Sequence, residues 1–136
     1  MSGRKRETTF YSGVNKLLLK GIYQEKMFNP LRGGTPDMYY ELRRNLWCEY
    51  KYEPLPTRDT TLVACNVSPL QEDWLDRNYA NGHAPWVIVG THLGRTPMGV
   101  ILKSPQEWHT GMPCGSFKKR LVTQQELANE IARRVQ

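Results

Sequence analysis

The seven residues from Ala84 to Gly90 include Trp86, Val87, Ile88 and Val89 with no polar interruption. Such a run is the pattern of a β-strand covered on both faces. Just before it lies a strong helix start, with Ser68 at the cap, Pro69 at the first helical position and Gln71 closing a capping box. That helix carries Leu70, Trp74 and Leu75 and is expected to end near Asn81 and Gly82. A helix feeding directly into a buried strand puts that strand in a sheet alongside an earlier one. The expected fold is therefore α/β, a mixed central sheet flanked by helices.

The other segments fit around this unit. Ser12 is read as the cap of a first helix running to about Lys20, with Val14, Leu17 and Leu18 as its apolar stripe and Gly21 ending it. Residues 22 to 28 read as a strand and NPLRGGTP as a loop. Asp37 to Glu41 and Leu46 to Tyr52, rich in Tyr, Trp, Met and Leu, form an expected antiparallel hairpin. PLPTRDTT is a loop, and Met98 to Leu102 is a further strand paired through a Gly94-Arg95 turn. A second capping box, Thr123 to Glu126, opens a closing helix with Leu127, Ile131 and Val135 inward. Beyond Leu102 the reading gives only a loop with Trp108, a basic cluster at Lys118 to Arg120, and this helix.

At 136 residues the chain fits one domain, read as residues 9–136 behind a flexible basic tail of residues 1–8. No apolar run approaches membrane-spanning length and MSGRKRETTF lacks a signal-peptide core, so a cytoplasmic location is expected. Cys48, Cys65 and Cys114 contain no Cys-x-x-Cys pair, and spacing gives no support to a zinc site built from them with His83, His92 and His109. Nineteen Lys and Arg against thirteen Asp and Glu leave a formal charge of +6, which favours a polyanionic partner such as DNA or RNA.

Against this background the stretch GTPDMYYELRRNLWCEYK stands out. Residues two apart on a strand share a face, so Glu49 and Lys51 point the same way as Trp47, while Cys48, Tyr50 and Tyr52 take the other side. Asp37 begins the neighbouring strand, so its carboxylate can approach that of Glu49. Two carboxylates brought together repel unless a proton or cation intervenes. A hard divalent ion such as Mg²⁺ answers that problem and leaves room for phosphate oxygens.

Pro36-Asp37 followed by Glu49-Tyr50-Lys51 resembles the PD-(D/E)xK nuclease signature, and the α-β-β-β-α-β order is similar to that superfamily's restriction-endonuclease-like core. A narrower likeness runs over about residues 12–103. Gly34-Thr35-Pro36-Asp37, Trp47 to Lys51, Ser68 to Gln71 with Trp74-Leu75, and Gly82 before PWVIVG resemble stand-alone VRR-NUC nucleases of phages and their hosts. The strand after this core and the closing helix are additions to it.

The resemblance implies a DNA endonuclease that hydrolyses phosphodiester bonds with Mg²⁺, or Mn²⁺ in its place, and works as a homodimer on branched DNA such as Holliday junctions. Asp37, Glu49 and the backbone carbonyl of Tyr50 would bind the metal; Lys51 would polarise the attacking water or stabilise charge on the phosphate. Gln71 would sit beside them, a role compatible with its place in the capping box. Arg32, Gly33, Gly34, Thr35, Arg43, Arg44, Lys118, Lys119 and Arg120 are the candidate DNA contacts. Many relatives carry a further acid on the first helix. The expected helix has none between Phe10 and Gly21, so Glu25 on the first strand is taken as the candidate, ahead of Glu7. The alternative is a non-catalytic nucleic-acid-binding or partner-binding protein retaining the fold, which has no need of Asp37, Glu49 and Lys51 together.

Overall fold

The computed structural model describes residues 3–28 and 33–136. Its elements, in order, are α1 (Gly3–Lys16), β1 (Tyr23–Lys26), β2 (Met38–Glu41), β3 (Asn45–Tyr52), β4 (Leu62–Val63), α2 (Pro69–Ala80), β5 (Trp86–Leu93), β6 (Thr96–Leu102), α3 (Pro105–Thr110), β7 (Met112–Pro113), α4 (Cys114–Arg120), β8 (Val122–Thr123) and α5 (Gln124–Val135). Among the described residues, no helix is long and apolar enough to cross a membrane.

Six strands form one sheet in the order β1-β2-β3-β5-β6-β8. Every pairing is antiparallel except β3 with β5, which run parallel, so the sheet is mixed as expected. The parallel pair follows from α2, which crosses over between the two strands and returns the chain in the same direction. β4 and β7 make a separate two-stranded ribbon.

Alternation along β3 separates two cores. Leu46, Cys48 and Tyr50 join Phe10, Tyr11 and Val14 of α1 and Leu127 and Ile131 of α5 on one face. On the other face Val87, Val89, Val100 and Leu102 pack with Leu75 of α2, Trp108 of α3 and Phe117 of α4. β5 contributes to both, because consecutive Trp86, Val87, Ile88 and Val89 are all buried. The continuous apolar run is thus the signature of a strand with helices on either side.

Both capping boxes form. The Ser68 hydroxyl accepts from the Gln71 N–H and the Thr123 hydroxyl from the Glu126 N–H, each with the reciprocal side-chain bond.

The first helix corrects the sequence reading. It begins at Gly3, so residues 3–8 are helical rather than a flexible tail, and Ser12 lies inside it instead of capping it. It also ends at Lys16, leaving Leu17 40% exposed. Phe10, at 3% exposure, explains why the polar turns before it are ordered. Its ring lies where a Cβ on Gly90 would sit, within 2.7 Å, so α1 is seated on the sheet by that glycine. Once this ring and Tyr11 are anchored, the preceding turns continue along the sheet, and Arg6 lies 5.8 Å from the Tyr52 ring centre. Trp108 departs from expectation too. It belongs to α3, started by Pro105 after Ser104, and is 1% exposed.

Candidate active site

Extending the β2–β3 register by one residue beyond Met38↔Cys48 puts Asp37 opposite Glu49. Asp37 stays tied to both neighbouring strands. Its carbonyl accepts from the Met27 N–H at 2.8 Å, and its Oδ2 accepts from the Tyr50 N–H at 2.9 Å. The approach to this position is tight. Gly34 has φ near +100°, and a Cβ there would fall 2.4 Å from the Leu70 carbonyl oxygen, so the loop carrying Pro36 and Asp37 lies directly against the first turn of α2.

Glu49 is 1% exposed. Its Oε2 accepts from Gln71 Nε2 at 3.1 Å and lies 3.5 Å from Lys51 Nζ. Its Oε1 is buried with no hydrogen-bond partner. The capping box decides which way the Gln71 amide points. The Ser68 N–H donates to Gln71 Oε1 at 2.9 Å, which turns the NH₂ toward Glu49. Gln71 therefore fills both roles at once, helix cap and neighbour of the acid. Trp47, on the same face as Glu49, meets the Trp74 ring edge-on at 5.4 Å between ring centres.

Burial raises the Glu49 pKa well above the usual carboxylate range, and the Asp37 charge adds to this while Lys51 opposes it. Asp37 is raised as well, by burial first, partly offset by the Tyr50 N–H and by its interaction with Glu49. Two carboxylates so placed need a proton or a cation between them. An unpartnered buried Glu49 Oε1, with a second carboxylate opposite it across the hairpin, fits a hard divalent ion such as Mg²⁺.

The first helix does carry an acid, Glu7. Its charge is among those raising the Glu49 pKa, and it stands on α1, half-buried, at the head of a stripe formed with Phe10, Tyr11 and Val14. The spacing 7, 10, 11, 14 is one face of a helix, a signal that was present in the sequence but hidden by starting the helix at Ser12. Glu25 is exposed on β1, two residues away from Met27, which is bonded to Asp37. The nearby Glu25 charge is the main cause that raises the Tyr23 hydroxyl's pKa.

The candidate DNA contacts do not all converge on the acids. Gly33, Gly34 and Thr35 lead into Asp37 beside α2; Arg32 lies outside the described residues. Arg43 and Arg44 occupy the far end of the β2–β3 hairpin, where both N–H groups donate to the Val135 carbonyl and Arg44 Nε donates to that of Gln136. Lys118 pairs with Asp59 at 3.2 Å, Arg120 pairs with Glu107 and also donates to the Ile101 carbonyl at 2.6 Å, and Lys119 is exposed. The three cysteines are free and buried, in two different cores.

The sequence matches no protein-family model and no curated protein. Among solved structures, the chain is similar to Hjc, a Holliday junction resolvase from the archaeal hyperthermophile Archaeoglobus fulgidus, with a TM-score of 0.47 and 15% identity over 94% of this chain and 96% of that one.

Proposed function

We propose that this protein is a metal-dependent DNA endonuclease of the PD-(D/E)xK type, with Asp37, Glu49 and Lys51 as its centre. The observation that carries the reading is the buried Glu49 carboxylate, with one oxygen held by Gln71 and Lys51 and the other unpartnered beside Asp37. A structural ion pair between Glu49 and Lys51 leaves that second oxygen and the neighbouring acid unexplained, because a buried unpaired charge is costly.

Asp37, Glu49, Glu7 and the Tyr50 carbonyl would hold a Mg²⁺ ion, with Mn²⁺ able to replace it. Such an ion supplies neutralisation of phosphate charge and a lower pKa for a bound water. The protein's own part is positional. Gln71 and Lys51 fix one oxygen of Glu49, so the carboxylate presents the other in a single orientation. Lys51 keeps a positive charge next to the reacting phosphate, where negative charge grows as the phosphodiester is attacked. The first turn of α2 turns the positive end of a helix dipole toward the same anion. The net charge of +6 supports a nucleic-acid substrate. Branched DNA as the preferred substrate, and a homodimer as the working form, rest on the motif resemblance.

The test is cleavage of plasmid and four-way-junction DNA with Mg²⁺, with Mn²⁺ and with chelator, beside Lys51→Ala and Asp37→Asn. Cleavage is expected only with a divalent ion, falling at least about a hundredfold in Lys51→Ala. Cleavage that persists in chelator, or is equal in Lys51→Ala, overturns the mechanism. Binding without cleavage by well-folded wild type points to the non-catalytic alternative. Asp37→Asn is expected to remove Mg²⁺ binding in calorimetry while junction affinity survives.

A further inference from the structure

A second group of ligating side chains lies elsewhere on α2. Glu72 and Asp76 stand one turn apart on that helix, and His109 of α3 reaches between them. His109 Nε2 lies 2.7 Å from Asp76 Oδ2, 3.0 Å from Asp76 Oδ1 and 3.4 Å from Glu72 Oε1. One ligand atom from each residue can be chosen so that all three fall within 4.8 Å of one another.

We propose that Glu72, Asp76 and His109 form a second cation site, for a borderline transition ion such as Zn²⁺, that ties α2 to α3. Neither part of this inference depends on the nuclease reading. One imidazole nitrogen with two carboxylate oxygens is a donor set for Zn²⁺ rather than for Mg²⁺, which prefers oxygen alone. Two atoms bound about 2.0–2.1 Å from a tetrahedral zinc ion stand roughly 3.3 Å apart. The Glu72–His109 separation of 3.4 Å already matches, and Asp76 must open by only about half an ångström from its 2.7–3.0 Å contact.

The surroundings favour an ion over a simple ion pair. Trp108, 1% exposed and therefore fixed, donates its Nε1–H to Asp76 Oδ1 at 2.9 Å. This holds the plane of the carboxylate and leaves Oδ2 as the atom turned to His109, the kind of outer support that metal ligands carry. The side chains of Glu72, Asp76 and His109 are 41%, 34% and 38% exposed, so an ion can enter and keep water on its open side. An ion here would also steady the first turn of α2, from which Gln71 reaches Glu49.

Calorimetric titration of the full chain with Zn²⁺, in the Asp37→Asn background to remove the other acidic site, tests this directly. One equivalent per chain is expected, with affinity falling at least about tenfold on adding His109→Ala or Glu72→Gln. Co²⁺ is expected to give a visible absorption band that the His109→Ala chain lacks. Zinc binding that is unchanged in both variants, or no zinc binding to the folded protein, overturns the proposal and leaves an ordinary His–carboxylate ion pair.

Discussion

Glu49 shows what a single residue costs and does. It is nearly fully buried, and its pKa is raised above the usual 4.5 mainly by that burial. Because the folded value lies above the unfolded one, the folded chain holds a proton that the unfolded chain has released at pH above about 4.5. The associated stability is complete below that pH and is lost as pH rises through the raised folded value. Asp37 has the same sign, from its ordinary 3.8 upward. In chelator, melting temperature is therefore expected to fall as pH rises from about 4.5 into the neutral range. Glu49→Gln keeps an acceptor for Gln71 and removes the charge, so at pH 7 in chelator it is expected to gain about 1–3 kcal/mol in denaturant unfolding while losing cleavage. A less stable variant would contradict this account. Mg²⁺ is expected to raise wild-type stability, by about 2.7 kcal/mol at a hundredfold excess over Kd, and to leave Glu49→Gln unchanged.

At the scale of the element, α2 was legible and α1 was not. The start of α2 is written locally in Ser68, Pro69 and Gln71, whose side chains close the cap without help from elsewhere. The start of α1 has no such mark. Residues 3–9 are polar and too few to hold a helix alone, and they are ordered because Phe10 and Tyr11 are held by β3, β5 and α5. This matters for the proposed site, since the extra turns put Glu7 on α1, where its charge adds to the field at Glu49. Glu7→Gln is expected to lower Mg²⁺ affinity and cleavage at least about tenfold, with circular dichroism and melting little changed. Glu25→Gln is expected to leave cleavage within about twofold of wild type, the small change typical of an exposed side chain. The reverse ranking would return the role to Glu25.

Across the whole molecule, the sheet separates two cores, and Asp37 lies at the start of β2 opposite Glu49 within β3, beside the Gly34 loop and the first turn of α2. The opposite end of the same hairpin is closed by the last residues of α5, whose final carbonyls accept the Arg43 and Arg44 N–H groups and Arg44 Nε. Such carbonyls have no partner within their own helix, and a basic side chain there also suits the negative end of the dipole. Arg44→Ala is accordingly expected to lower stability by about 0.5–1.5 kcal/mol, read by urea unfolding, with junction affinity changed less than about twofold. A large loss of affinity at unchanged stability would restore Arg44 as a DNA contact.

The sequence by itself determined the strands β1, β2, β3, β5 and β6, the two capping boxes, and the register that sets Asp37 opposite Glu49. Each is a short-range pattern, set by alternation in a strand, by a three-residue capping offset, or by the register of a hairpin. Only the tertiary structure decided that α1 reaches back to include Glu7, that one Glu49 oxygen is left without a partner, and that Arg43 and Arg44 dock a helix end. Those outcomes depend on which distant segments pack together, and burial and close approach are properties of the packed sheet and helices rather than of any one stretch of chain.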